Sequence, residues 1–257
     1  MYARKSASIL DSILQRTTLN PLDWAGLTPL MRRTAGSSDV VVGLIDGPVP
    51  DAHPALQGAH LRGASTACVT PSSSACGHGA SIAGILVARR DSGAPGICPG
   101  CTLLVRPIFG ESLSQPKTSP AELARAIREC VTEGARVINI SAALTRAGAA
   151  RESSLEGALD FAGMRGVIVV AAAGNQGAVG GAALSGHPWV VPVAGYGRSG
   201  RPLEESNLSV SIGKRGLAAP GEDIQSVAAA GGLAPVSGTS AAAPFVSGAA
   251  ALLCSQF

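Results

Sequence analysis

Val40-Val41-Val42-Gly43-Leu44-Ile45 is an unbroken apolar run, and Asp46-Gly47-Pro48 ends it at once. A run this short, with no polar alternation, is the pattern of a strand buried on both faces, as in a parallel sheet. Working outward, residues 102–108, 136–140, 167–172 and 189–194 repeat the pattern. Helical stretches lie between them. Residues 79–90 read as one helix. Ser119-Pro120-Ala121-Glu122 is a capping box with Pro at the first helical position, opening a helix to about residue 133. Ser153-Ser154-Leu155-Glu156 opens another to about residue 165, and a last helix runs over residues 240–255. Strands alternating with helices predict an α/β fold: a central, mostly parallel sheet covered by helices on both faces. Residues 195–220 show little periodicity and read as loop and edge structure. No internal repeat or second domain is seen. We expect a lead-in helix and loop over residues 1–38 and one domain over residues 39–257.

Composition narrows the function. Of 257 residues, 46% are hydrophobic and only 3% aromatic, so the core is packed with Ala, Val, Leu and Ile. A net charge of +3, with no basic run and no interleaved aromatics, gives no reason to expect a nucleic-acid partner. No apolar run reaches the length of a membrane span, and no membrane partner is expected. Near the start, Ile9, Leu10, Ile13 and Leu14 have helical spacing, but Ser8, Asp11, Ser12 and Gln15 interrupt them. That is a short amphipathic helix rather than the apolar core of a signal peptide, so the expected location is cytoplasmic.

In an open parallel sheet, sites form at the carboxyl ends of the strands. Asp46 follows the first strand, Ser141 follows residues 136–140, and Ala173-Gly174-Asn175 follows residues 167–172. Cys76-Gly77-His78-Gly79 sets a His at a turn opening a helix. Ser237-Gly238-Thr239-Ser240 delivers Ser240 to the first turn of the last helix, where free N–H groups and the helix dipole suit an oxygen nucleophile. Pro244 is expected early in that helix, where its missing N–H costs least. Taken singly, each residue has an ordinary structural reading as a cap or turn residue. Together they are the acid, base, amide and nucleophile of a Ser-His-Asp hydrolase. A nucleotide-binding reading fails at the first turn: Pro48 offers no N–H, and Asp46 would repel phosphate.

At these motifs the sequence resembles the subtilisin-like serine proteases. Leu44-Ile45-Asp46-Gly47 is similar to the family's Asp motif, and Gly77-His78-Gly79-Ala80-Ser81-Ile82-Ala83-Gly84 to its His motif. Val169-Val170-Ala171-Ala172-Ala173-Gly174-Asn175 and Ser237-Gly238-Thr239-Ser240-Ala241-Ala242-Ala243-Pro244 are similar to its Asn and Ser motifs, in the family's order. The resemblance covers about residues 38–254. It implies a subtilisin-like three-layer fold and a serine endopeptidase with Asp46, His78 and Ser240 as the triad. It further implies Asn175 as oxyanion donor and Ser141, Ala142, Ala143, Ala172, Ala173 and Gly174 as the substrate cleft. Ala80-Ser81 replaces the family's usual Thr-His, and Ala241 its common Met.

Within the family, Asp46-Gly47-Pro48-Val49, His53-Pro54, residues 96–108 with Arg106-Pro107-Ile108, and the short end after Leu252-Leu253 resemble cyanobactin-type proteases that mature ribosomal peptides. The resemblance implies a peptide or protein substrate and precursor processing by leader removal or cyclisation. Two alternatives remain: a general degradative protease and a catalytically silent binding module. No cofactor and no metal is expected. Because the cleft residues are small and uncharged, an apolar or small polar P1 side chain is expected.

Six cysteines complete the reading. Cys130 and Cys254 fall in helical apolar patterns, as core thiols do. Cys68 and Cys76 flank a Ser-rich loop and would pair in an oxidising compartment. Cys98-Pro99-Gly100-Cys101 is a C-x-x-C, by itself a weak metal signal. A helix of about 12 residues spans about 18 Å, which separates Cys98 from Cys76 and makes this a local turn or disulfide.

Overall fold

The computed structural model describes residues 20–63, 68–111, 118–141, 153–180 and 183–257. Two short helices lead in, α1 (Pro21–Trp24) and α2 (Thr28–Arg33). The expected helix around Ile9 to Leu14 lies outside the described residues. The apolar runs become strands β1 (Val41–Asp46), β3 (Thr102–Pro107), β4 (Ala135–Ile140), β5 (Ile168–Ala172) and β6 (Val190–Tyr196). Two short edge strands, β2 (His60–Arg62) and β7 (Leu217–Pro220), extend them into a seven-stranded sheet in the order β2-β3-β1-β4-β5-β6-β7. Every neighbouring pair in it is parallel. A separate antiparallel pair, β8 (Ile224–Val227) and β9 (Leu233–Val236), follows.

Helices cover both faces. Even-numbered β1 residues Val42 and Leu44 join the core formed with α3 (Ser74–Val87) and α8 (Thr239–Cys254). Odd-numbered Val41 and Ile45 face the opposite layer, α4 (Pro120–Thr132) and α5 (Ser153–Met164). This is the period-two alternation of a strand buried twice. The Ser119–Glu122 capping box forms in full, with Pro120 at the start of α4. Cys130 of that helix is buried, and burial pushes its thiol up to about 12. Two small helices, α6 (Ala183–Gly186) and α7 (Val210–Arg215), flank β6.

Two local expectations are corrected. Helix α3 begins at Ser74, not at residue 79, because the Ser73 hydroxyl accepts the Cys76 N–H at 3.1 Å and caps the helix early. His78 therefore sits in the second turn rather than in an opening turn. Pro244 is the sixth residue of α8, beyond the first turn, so the Ser240 carbonyl loses its usual helical N–H partner. Residues 217–220, read as part of a loop and edge region, form the edge strand β7, and residues 224–236 hold two short strands that a 2-residue alternation over four positions does not announce.

The turn at Cys98–Cys101 holds the far ends of α3 and α8. Cys98 N–H bonds to Leu86 O at 2.7 Å, and Ile97 N–H to Ile85 O at 2.9 Å. The turn closes with Cys101 N–H to Cys98 O at 3.0 Å, and Cys101 Sγ lies 3.8 Å from Ser255 Oγ at the end of α8. Both cysteines are free, buried thiols. Among the described residues, no helix is long and apolar enough to cross a membrane.

Candidate active site

Asp46 ends β1 on the α3–α8 face and is fully buried. Its Oδ1 accepts two hydrogen bonds, from Gly47 N–H at 2.6 Å and from His78 Nδ1 at 2.6 Å. With Nδ1–H donated to the carboxylate, Nε2 keeps its lone pair, and the imidazole retains 29% side-chain exposure. Burial works against the charged ring, but the Asp46 charge and hydrogen bond outweigh it, so the His78 pKa lies above its ordinary 6.5.

The spacing of this pair is set by backbone. Gly79 follows His78, and a Cβ there would collide with the carbonyls of Gly47 and Pro48. Helix α3 thus lies directly on the turn that ends β1.

Ser240 is the second residue of α8 and is 4% exposed. Gly238 caps the helix at φ +114°, a conformation that excludes a side chain, and a Cβ there would also press on the Asn175 amide. Asn175 stands beyond β5. Its Oδ1 accepts from the Thr239 N–H at 2.9 Å and from the Thr239 hydroxyl at 2.9 Å. Two donors on the oxygen fix the amide orientation and leave Nδ2 without a partner among the described residues. The Gly174 N–H bonds to Thr239 Oγ1 at 3.1 Å. Among the described residues, Ser240 Oγ makes no hydrogen bond to His78; such bonds often close only around substrate. The helices bearing the two side chains pack against each other.

Two organisers of this loop escaped sequence reading. Thr239 locks Asn175, as above. Asn207 Oδ1 accepts the Gln176 and Ala178 N–H groups at 3.1 and 2.9 Å, its Nδ2 donates to Ala173 O at 3.1 Å, and its own N–H bonds to Gly174 O at 2.8 Å. The Ala173 N–H goes to Val193 O at 2.9 Å. The main chain of Ala173 and Gly174 is therefore fully engaged, and Ala172 and Ala173 are buried. Ala173 and Gly174 thus present small apolar surface and no free main-chain hydrogen-bonding group. Ser141 follows β4 and is 6% exposed. Ala142 and Ala143 lie outside the described residues.

Cys68 and Cys76 form a disulfide. Beside it, Glu111 accepts the Val69 and Thr70 N–H groups at 3.0 and 2.6 Å, tying the segment after β3 to the loop before α3. No cluster of three or more metal-binding side chains occurs among the described residues.

A parallel sheet whose carboxyl edge carries a buried Asp bonded to a half-buried His, with a serine at the N-terminus of a helix packed on the one bearing that His, defines the class of the Asp-His-Ser peptidases. The chain belongs to the subtilase family, peptidase S8, which it matches over residues 37–257. It is 29% identical over 224 residues to subtilisin E of Bacillus subtilis strain 168, covering 85% of this chain and 56% of that protein. It is 31% identical over 226 residues to the thermophilic serine proteinase of Bacillus sp. strain AK1, covering 87% of this chain and 54% of that one. The chain thus spans little more than half the length of these relatives. Among solved structures, the prenylagaramide maturation protease PagA is 36% identical with a TM-score of 0.79, over 89% of this chain and 79% of that one. The patellamide maturation protease PatA is 37% identical with a TM-score of 0.73, over 86% and 80%. The PatG macrocyclase domain, at 23% identity and a TM-score of 0.77 over 93% and 83%, shares the fold.

Proposed function

We propose that this chain is a serine endopeptidase that processes a ribosomally made precursor peptide through an acyl-enzyme on Ser240. The observation that carries the reading is the 2.6 Å bond between buried Asp46 and His78 Nδ1, on the same sheet edge as Ser240. Ser240 attacks the scissile carbonyl. His78 Nε2 takes its proton and delivers it to the leaving amine, while Asp46 holds the tautomer and stabilises the imidazolium. The free Asn175 Nδ2 and the Ser240 N–H, an orphan donor of the first helical turn, hold the oxyanion. Leaving the Ser240 carbonyl out of the helical ladder, through Pro244, does not disturb that N–H.

Precursor processing is supported by the likeness to PagA and PatA, both described as maturation proteases. Water resolving the acyl-enzyme gives leader removal, and a peptide amine gives cyclisation; the same triad serves both. The Cys68–Cys76 bridge is of a kind kept in oxidising compartments and weighs against the cytoplasmic location expected from residues 1–21. The test is incubation with precursor peptides encoded beside the gene, read by mass spectrometry. A cleaved or cyclised core, absent with Ser240→Ala, supports the reading. Undiscriminating cleavage of casein with no preference for such precursors would favour the degradative alternative. Absence of fluorophosphonate labelling would favour the silent module.

A further inference from the structure

Three buried polar side chains on the α8 face of the sheet have no part in the triad: Asn139 and Ser141 on and just beyond β4, and Ser247 on α8. Asn139 and Ser247 are fully buried. Their hydrogen bonds have a direction. Ser247 Oγ lies 2.8 Å from Asn139 Oδ1, where the hydroxyl is the only donor, and 3.3 Å from Ala243 O, the weaker choice. Asn139 Nδ2 lies 2.6 Å from Ser141 Oγ, so the amide donates and the hydroxyl oxygen accepts. The Ser141 proton cannot return to Asn139 and has no acceptor among the described residues.

One acceptor nearby lacks a donor. Asp46 Oδ2 is buried without a hydrogen-bond partner. Oδ1 carries both bonds to the carboxylate, and Gly47 contributes an N–H but no side chain. The strand register brings the two together. Leu44 pairs with Asn139 and Ile45 with Ile140, so the next step sets Asp46 beside Ser141 on the same face. A buried, charged oxygen without a donor is costly, and a chain of hydrogen bonds ending on it strengthens each member.

We propose that Ser141 is a positioning residue for Asp46: its hydroxyl reaches Oδ2 through one ordered water, and Asn139 fixes the direction of that hydroxyl. A donor on Oδ2 holds the carboxylate plane, so Oδ1 stays aimed at His78. The relay also joins the strand edge under the acid to the helix that bears Ser240. This rests on the triad assignment above.

The readout is the pH dependence of fluorophosphonate labelling, which follows the neutral fraction of His78. Asp46 on β1 is the charged group in contact with that ring; Glu111 lies against Cys76, earlier on α3, His53 caps the Pro54–Leu56 turn that packs on α3, and α8 and β8 carry no charged residue. Without a donor on Oδ2 the carboxylate holds the imidazolium proton more tightly. Ser141→Ala should raise the labelling midpoint by about half a unit and slow labelling below it. Ser141→Thr, which keeps the hydroxyl, should retain the wild-type midpoint. Asn139→Ala should shift it the same way, and the double variant no further than Ser141→Ala, since Asn139 acts through Ser141. A lowered Tm with an unmoved midpoint in Ser141→Ala would overturn the proposal, as would additive shifts for Asn139. If Asn139→Ala does not fold, the Ala and Thr variants of Ser141 still decide. Failure of the triad reading is distinct: Ser240→Ala would then label like wild type.

Discussion

Gly79→Ala isolates the spacing between acid and base. A Cβ on Gly79 would stand 2.5 Å from the Gly47 carbonyl oxygen and closer still to that of Pro48, against the 3.4 Å at which contact becomes ordinary. The shortfall is about 0.9 Å at Gly47 and larger at Pro48, and both obstacles are backbone, which cannot swing aside. Helix α3 must retreat from the end of β1 by that amount. Taken along the line between them, the movement stretches the 2.6 Å bond from His78 to Asp46 to about 3.5 Å or more, at or past the limit of a hydrogen bond. Overpacking of this kind costs about 1–3 kcal/mol, which leaves the protein folded with Tm lower by about 2–4 °C per kcal/mol. A misplacement near 1 Å costs about 100-fold in turnover. The assay is kcat on a peptide amide substrate beside a thermal melt. Gly77→Ala is the control: a Cβ there meets nothing within 4 Å, and a helical Gly replaced by Ala gains stability. Wild-type kcat in folded Gly79→Ala, or an equal loss in Gly77→Ala, would refute the reasoning.

The oxyanion assignment predicts a kcat loss of roughly 100- to 1,000-fold for Asn175→Ala with little change in KM. Thr239→Val, which removes one of two donors fixing Asn175 Oδ1 and the acceptor for Gly174 N–H, should lower kcat by a smaller factor; equal kcat to wild type would show that the clamp is unnecessary. Hydrolysis should rise with pH through a midpoint above 6.5, because only neutral His78 accepts the Ser240 proton. The raised pKa also stabilises the fold: the contribution is full below the unfolded value of 6.5 and fades as pH climbs through the folded one, so the Tm gap between wild type and His78→Gln should narrow over that window. A peptide library varied at P1 should favour apolar or small polar residues, and a strong preference for Lys, Arg, Asp or Glu would sink the small-residue pocket.

Much of this was legible in the chain because buried parallel strands advertise themselves as apolar runs. The run at Val40 to Ile45 and the stop at Asp46-Gly47-Pro48 marked both a central strand and its functional end. What stayed hidden depends on proximity that no local pattern encodes. β2 and β8 are three and four residues long, too short for periodicity to speak. The early start of α3 turned on one Ser73 cap inside a Ser-rich stretch that also reads as loop. Thr239 stood in view within the Ser motif, yet its grip on Asn175 spans 64 positions of sequence. Asn207, in a stretch without periodicity, offered no signal; its role comes from lying beside the Asn175 loop.

The turn that gathers the far ends of α3 and α8 gives the site a mechanical character. His78 and Ser240 ride near the active-site ends of two arms held at one foot, nine residues ahead of Val87 and fourteen ahead of Cys254. At 1.5 Å per residue the arms are about 14 and 21 Å long, so one degree of splay at the foot becomes about 0.2 Å at the imidazole and about 0.4 Å at the hydroxyl. Alignment of nucleophile and base is thus geared to the fit of a buried corner remote from any substrate. Substitutions at Gly96, Ile97 or Pro99 should therefore surface as defects in turnover rather than in peptide binding.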